Sequence, residues 1–514
     1  PRWRRGAMGP HKPPRGVRGA APTEEAAHVR AREEAARGIG PPQATSQGVG
    51  RSPTYVMPGA KPRLVMTDPT RLRTLKALLR GGGRASAGAA ESARASVDPE
   101  ALATGLGGSL EDAPLGPCPV VRWVVGPEGP EGHDGPDGND ENDEHDEVDE
   151  PYGDRLEAAS RAISAEGLAV LCGEGSRQEA PKSGVAPTDG VIFFDLETTG
   201  LSAGAGTVAF VVGFGCFDGA RFHVWQFVLP SFATERRLLA AVTAAVSRAH
   251  TVVTFNGKSF DMPFMEMRWL YHRLATPLPA LRHLDLLHPA RRFWGPDTGG
   301  LGMLERRVLG FRRRGDVSGY EIPSRYFNYL RSGDPAPLRR VLLHNRLDLA
   351  SLAVLTGLAC ELVDGGPNAA RDARQCLGLG RVYERSGNRP DAHVCYERAA
   401  GLSPGSSGVF CPGDLDVRAE ALFRVASAQR GQRRHADAAR VWQGLLDLRR
   451  PPGLFEREAL RSLAVHHEHR LKDTHTALLF ARRAYAMERT ASRRQEGRKR
   501  MSRLERRLAG DSGC

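Results

Sequence analysis

The pattern of apolar and polar positions divides the chain into stretches of different character. "GVIFFDLE" (190–197) sets four apolar residues in a row ahead of two acids, which predicts a buried strand. "TVAFVVGFGCF" (207–217) and "RFHVWQFVL" (221–229) predict two more strands, joined through the hairpin signal Asp218-Gly219. An amphipathic helix follows over "ATERRLLAAVTAAVSRA" (233–249), then a buried strand over "TVVTFNG" (251–257). "SFDMPFMEMRWLYHRL" (259–274) predicts a helix with Ser259 as N-cap and Pro263 in its first turn. "RHLDLL" (282–287) predicts a fifth strand, and "PLRRVLLHNRLDLASLAVLTGLACELV" (337–363) a long closing helix. A hairpin followed by strands alternating with helices implies a mixed sheet flanked by helices.

From about residue 370 the pattern turns all-helical and repetitive. In "LGRVYERSGNRPDAHVCYERAAGLSP", Leu379, Gly380, Tyr383, Gly387, Ala392, Tyr396, Ala399 and Pro404 follow tetratricopeptide spacing. Two poorer copies, around Gly431, Ala438 and Trp442 and around Leu463, Ala464, Ala477 and Ala484, need small insertions. Apolar spacing alone leaves a generic helical bundle open as the alternative. "RRQEGRKRMSRLERRL" (493–508) reads as a basic amphipathic tail. Residues 1–185, rich in Gly, Pro, Ala and Arg with few aromatics, bury too little to offset ordering entropy and are expected to be mostly disordered, with a short helix over 154–172. Within them 127–151 holds twelve acids and no Lys or Arg, a solvated linker by its charge, or in a sharper reading a nucleic-acid mimic shielding the basic parts of the chain. The expected organisation is therefore a disordered region over 1–185, a mixed-sheet domain over 186–364, helical repeats over 370–490 and a basic tail over 491–514.

Charge sharpens this division. Basic residues exceed acidic ones by 12 overall, and the surplus is uneven: net −4 over 1–188, +4 over 189–364 and +12 beyond. A basic C-terminal part suits a polyanion such as nucleic acid, or is a set of solvated helix faces. None of the eight cysteines forms a C-x-x-C pair, which argues against a zinc site and a disulfide framework. No apolar run approaches a membrane span and no secretory signal is evident, so a cytoplasmic location is expected. The chain begins with Pro1, and the expectation is that the true start lies elsewhere.

The candidate chemistry sits in the mixed-sheet stretch. Asp195 and Glu197, two apart on a strand, share a face and repel unless a cation lies between them. Asn256-Gly257 ends a strand and Asp261 opens the next helix, where the helix dipole alone favours an acid. Asp348 lies mid-helix among Leu347, Leu349 and Leu352, with His344 one turn earlier on the same face. Taken singly, each is an ordinary position. Taken in order, Asp-x-Glu, Asn-Gly-x-x-Phe-Asp and His-x-x-x-Asp resemble the three motifs of the DEDD exonuclease superfamily, which has a ribonuclease H-like fold. "LERRVLGFRRRGDVSGYEIPSRYFNYLRSGDPAPLRRVLLHNRLDLASLAVL" (304–355) is similar to the bacterial YprB-like branch, often followed by tetratricopeptide repeats.

The resemblance implies Asp195, Glu197, Asp261 and Asp348 as ligands of two divalent cations, Mg²⁺ or Mn²⁺, and His344 as general base. One departure stands out: the best-known subgroups carry His-x4-Asp or Tyr-x3-Asp, whereas His344 has the tyrosine spacing, so Asn345 is a rival for that side of the site. Asp285 is either an accessory acid or a cap for the helix after it. Hard cations require oxygen ligands, and two of them about 4 Å apart stabilise the attacking and leaving oxygens of a phosphodiester displacement. Asn256, Lys258 and Phe260 are the candidate substrate contacts, with Trp294 as a base-stacking surface. Arg312, Arg313 and Arg314 either touch phosphates or form a solvated surface. The expected function is a metal-dependent nuclease, a 3′–5′ exonuclease acting on DNA or RNA. Its rivals are a weakly active or non-catalytic scaffold that binds a protein partner through the repeats, and a structure-specific endonuclease.

Overall fold

A computed structural model describes residues 98–126, 129–131, 152–174, 186–200, 206–296, 299–401, 415–448 and 453–511. Its strands are β1 (Ser109–Glu111), β2 (Cys118–Gly126), β3 (Gly129–Glu131), β4 (Val191–Thr198), β5 (Ala209–Asp218), β6 (Arg221–Val228), β7 (Thr251–Thr254) and β8 (Arg282–Asp285). They form one sheet in the order β1-β2-β6-β5-β4-β7-β8, with β3 folded back on β2. The β4–β7 and β7–β8 pairs are parallel and the others antiparallel, so the sheet is mixed, as the sequence pattern predicts. Gly219, at φ +60°, makes the predicted β5–β6 turn.

The helices of this part are α1 (Pro99–Gly105), α2 (Gly153–Ala162), α3 (Ala165–Cys172), α4 (Glu235–Ala245), α5 (Asp261–Tyr271), α6 (Leu287–Trp294), α7 (Leu301–Leu304), α8 (Ile322–Ser332) and α9 (Ala336–Asp364). Strand β4 divides them by its alternation. Val191 and Phe193 join a core with α2, α3 and the C-terminal half of α9; Ile192, Phe194 and Leu196 join another with α1, α4, α5 and α8. Each fully buried Phe contributes roughly 1.5–3 kcal/mol. Asp195 and Glu197, by the same alternation, lie on the α9 face. Gly213 of β5 lets α9 approach, since a Cβ there would fall 2.1 Å from the Asn345 amide oxygen.

The sheet extends further toward the N-terminus than the pattern at 186 indicates. Residues 98–126 supply α1 and two strands, and β2 pairs with β6 over six positions. Both of its faces are covered, Val120 joining the core with α1 and Trp123 and Val125 the core with α2 and α3, so this nine-residue strand lacks a simple alternation and lies in Gly/Pro-rich surroundings. The helix expected over 154–172 is two, α2 and α3, because the Ser164 side chain caps the second by accepting from the Gly167 N–H at 2.8 Å. Gly129–Glu131 of the acidic tract pairs with β2. The rest of the tract, together with residues 1–97, lies outside the described residues. Helix α5 starts at Asp261 with Phe260 at the cap position and no side-chain cap, so Ser259 does not take that role.

Beyond α9 come α10 (Ala373–Ser386), α11 (Arg389–Ala400), α12 (Leu415–Gly431), α13 (His435–Leu446), α14 (Gly453–His466), α15 (Thr474–Ala486) and α16 (Ala491–Asp511). Each packs on the next, giving three helix pairs and a closing helix. The α9 core runs on into this stack through Leu379, Val382, Tyr383, Val425 and Trp442. The basic stretch at the C-terminus is docked: Leu504 is fully buried, and Arg503 donates to the buried Glu468 at 2.6 Å. No helix among the described residues is long and apolar enough to cross a membrane.

Candidate active site

The parallel part of the sheet creates the opening. Strand β4 pairs with β7 only over Val191–Phe193, while its pairing with β5 continues to Thr198 past an irregularity at Glu197/Thr198. Asp195 and Glu197 therefore stand beyond the end of β7. The carboxyl ends of β4, β7 and β8 lie on one side of the sheet, where open α/β sheets bind ligands.

A cleft there is lined by Asp195, Asn256, Asp348, Arg291 of α6, Gly299 and Gly300 ahead of α7, and Leu301, its first residue. Asp261, Glu197 and Asp348 all act electrostatically on Asp195, so the chain brings the four acids together. Burial first, then repulsion from Asp348, Glu197 and Asp261, holds Asp195 well above the usual carboxylate range. Burial pushes Glu197 up to about 8; His344 pulls it down, and Asp348, Asp261 and Asp316 push it further up. Asp261, 7% exposed at the first position of α5, is raised by burial to about 7, against the lowering effect of a backbone hydrogen bond.

Helix α9 supplies three neighbouring groups. The Asn345 amide donates to Asp195 Oδ2 at 2.8 Å, and its own oxygen accepts from Gln226 Nε2 at 2.8 Å. Gln226, on β6, also donates to the Leu342 carbonyl at 2.7 Å, so the relay ties β6, α9 and β4 together. His344 Nδ1 sits 2.7 Å from Asp316 Oδ1, and its Nε2 lies 3.7 Å from Asp348 Oδ2. Desolvation lowers the imidazole's pKa, but the Asp316 hydrogen bond and the charges of Asp348 and Glu197 override it and hold it up at about 9. Both motif-three neighbours thus reach the site: His344 faces Asp348, and Asn345 holds Asp195.

Arg313 is neither a phosphate contact nor a solvated surface residue. Its side chain is 6% exposed and donates to both Asp348 and Glu305. Glu305 accepts in turn from Ser351, whose hydroxyl is 2.6 Å from that of Tyr152. Nothing in the local sequence marks this: Arg312 and Arg314 on either side are exposed.

The other sequence candidates separate. Asp285, 2% exposed, is a structural cap: its oxygens accept the N–H groups of Asn256 (2.8 Å), Lys258 (3.1 Å) and Leu287 (3.2 Å). That grip holds Asn256 at φ +66° on the cleft wall. Phe260 stacks on buried Phe264, centroids 6.0 Å apart. Lys258 is exposed, and its charge is felt at Cys172 and His283. Trp294 faces a separate cavity beside α2 and α9.

Among the described residues no three acids, histidines or cysteines stand in ligating geometry together. The side-chain partners say why: Asp348 is turned to Arg313, and Asp195 takes the Asn345 amide. The donor set itself suits a hard divalent cation. It is all oxygen, and the raised pKa values of Asp195, Glu197 and Asp261 register a charge deficit that a cation would relieve.

Comparison with known proteins finds similarity over the stretch that carries this site. The RNase_H superfamily matches residues 192–360. A protein of Bacillus subtilis (strain 168), "Uncharacterized protein YprB", is 40% identical over 168 residues, 32% of this chain and 40% of that relative. The chain thus spans two fifths of the relative's length. The helix pairs lie beyond the superfamily match.

Proposed function

We propose, from the premise that residues 192–360 are a YprB-like ribonuclease H-superfamily domain, that the cleft is the active site of a metal-dependent nuclease. The specific reading is a 3′–5′ exonuclease on DNA or RNA. The observation that carries it is the convergence of Asp195, Glu197, Asp261 and Asp348 beyond the end of β7.

When bound between these carboxylates, two Mg²⁺ or Mn²⁺ ions would stabilise the attacking and leaving oxygens and acidify a water. The protein's own groups do the rest. Asp195, Glu197, Asp261 and Asp348 would hold the cations, and Asn345 fixes the orientation of Asp195. Asp316 fixes the imidazole of His344 through Nδ1; cations that offset Asp348 and Glu197, the charges that help hold its pKa up at about 9, would free Nε2 to take a proton on the Asp348 side. Arg291, on the cleft wall, is placed for a substrate phosphate. The three helix pairs are read as tetratricopeptide-type repeats, a platform with a concave surface.

One observation favours a second reading, the weakly active scaffold: Arg313 already neutralises Asp348, so the acid has an internal counter-ion. End-labelled single- and double-stranded DNA and RNA, incubated with Mn²⁺ or Mg²⁺, separate the readings. Metal-dependent laddering from the 3′ end that Asp195→Asn abolishes is expected. Internal cuts would favour an endonuclease, and no metal-dependent product at all would leave the scaffold.

A further inference from the structure

We infer that four arginines at the seam between the nuclease fold and the first helix pairs, Arg292, Arg381, Arg385 and Arg424, bind the phosphates of a nucleic-acid strand that runs on from the cleft.

The seam is tight. Gly378 of α10 packs directly on α6, since a Cβ there would lie 2.3 Å from the Arg292 carbonyl oxygen. This puts Arg292 of α6 among Arg381 and Arg385 of α10 and Arg424 of α12. The charges do not balance. Glu420 serves two of them, accepting from Arg381 at 2.8 Å and from Arg424 at 2.9 Å. Glu384 takes Arg424 at 2.5 Å and the Tyr396 hydroxyl at 2.9 Å. Arg385 donates to the Leu171 carbonyl, a neutral partner. Four guanidinium groups therefore face two carboxylates.

Arg292 carries the imbalance. Its Nη1 is buried and finds no hydrogen-bond partner among the described residues. Burial, then repulsion from Arg385, Arg381 and Arg424, holds its pKa below the usual range. A half-buried guanidinium among three like charges, with a donor unpaired, is costly unless an anion completes it. Phosphate is the anion that the fork geometry of arginine fits.

Continuity with the cleft selects the occupant. Arg291, the neighbouring residue on α6, lines the same cleft as Asp195 and Asp348. Successive helix residues point about 100° apart. Helix α6 thus offers one arginine to the cleft and the next to the seam, the layout of a backbone track. An acidic segment of a partner protein is the competing occupant. The inference rests on the nuclease reading for what enters the cleft.

The test is binding by the full chain in EDTA, where no turnover occurs, of labelled single strands of about 20 nucleotides, DNA and RNA in separate arms. Arg292→Gln with Arg385→Gln is expected to weaken binding about tenfold and to flatten the log–log salt slope by about 1.4. A control with the same net charge, Arg440→Gln with Arg482→Gln at exposed positions of α13 and α15, is expected to bind like the parent. Parental binding by the first variant, or equal loss in the control, overturns the proposal. So does capture of polyglutamate in place of the strands. If the double variant melts early, exposed Arg385→Gln alone carries the test, with half the slope change. Absence of metal-dependent hydrolysis would remove the nuclease reading and leave this binding result standing.

Discussion

Arg313 donates to Asp348 and to Glu305 at once, so one buried guanidinium joins the mid-helix acid of α9 to an acid that is 1% exposed. The pair explains how a carboxylate cluster survives folding without a cation: one of its four members is neutralised from within the chain. Removing the guanidinium would leave buried Glu305 with only the Ser351 hydroxyl and half-buried Asp348 with only His344, 3.7 Å away, among the described residues. Arg313→Gln is expected to cost roughly 3–5 kcal/mol in EDTA, the usual cost of breaking a buried pair. Urea unfolding with and without Mg²⁺ measures it. A loss below about 1 kcal/mol would mean that the pair is dispensable.

Asp195 sets catalysis against stability. Burial and three neighbouring acids disfavour its charge, so the metal-free fold bears that cost at neutral pH. Asp195→Asn keeps an oxygen to accept from Asn345. Its expected result is a metal-free protein more stable by on the order of 1 kcal/mol. Hydrolysis is expected to fall on the order of 10³-fold, the equivalent of several kcal/mol of lost charge stabilisation. Paired melts in EDTA and rate assays in Mn²⁺ check both halves. A less stable Asn variant would show that repulsion is not what strains the site.

These two residues also mark what can be read from the chain. Asp195 is legible because its neighbours are: Val191–Phe194 announce a strand, and period two puts Asp195 and Glu197 on one face. Helix α9 and the Gly219 turn are legible for the same local reasons. Arg313 is not, because burial and partners across the fold define it, and Arg312 and Arg314 look the same in sequence. Gln226 reads as one polar residue in an apolar strand until Asn345 meets it. The strands over 109–131 are obscured differently, by a Gly/Pro-rich and acidic context and by burial on both faces, Val120 on one and Trp123 and Val125 on the other, which leaves no period of two to read. Asp285 was legible as a carboxylate at a strand end, and only its three backbone N–H partners reveal a cap.

The relay from Gln226 through Asn345 to Asp195 predicts a positioning effect. Gln226→Leu keeps similar bulk in the sheet and removes the donor that orients the Asn345 amide. Activity is expected to drop about 10–100-fold, the range for groups that orient a ligand. The loss should appear in kcat with little change in KM, because Gln226 lies behind the cleft wall. A KM effect alone would instead place Gln226 in substrate binding.

His283 gives the fold a pH dependence separate from the acid cluster. Its ring on β8 meets the Thr254 hydroxyl at 2.8 Å. Burial, then the charge of Lys258, lowers its pKa to about 4, against the opposing pull of Asp285. The unfolded chain takes a proton near pH 6.5, whereas the folded chain resists until about 4. The folded value lies below the unfolded one, so the cost is absent above pH 6.5 and grows as pH falls toward 4. Between those limits the unfolded state holds up to one proton more, a slope of at most about 1.4 kcal/mol per pH unit. The ring is partly solvated, so the real slope is smaller. His283→Gln preserves a partner for Thr254 and cannot titrate. The stability difference between parent and variant should shift in the variant's favour from pH 7 to pH 5, as read by urea midpoints. A constant difference across that window would show that His283 is not held neutral by the fold.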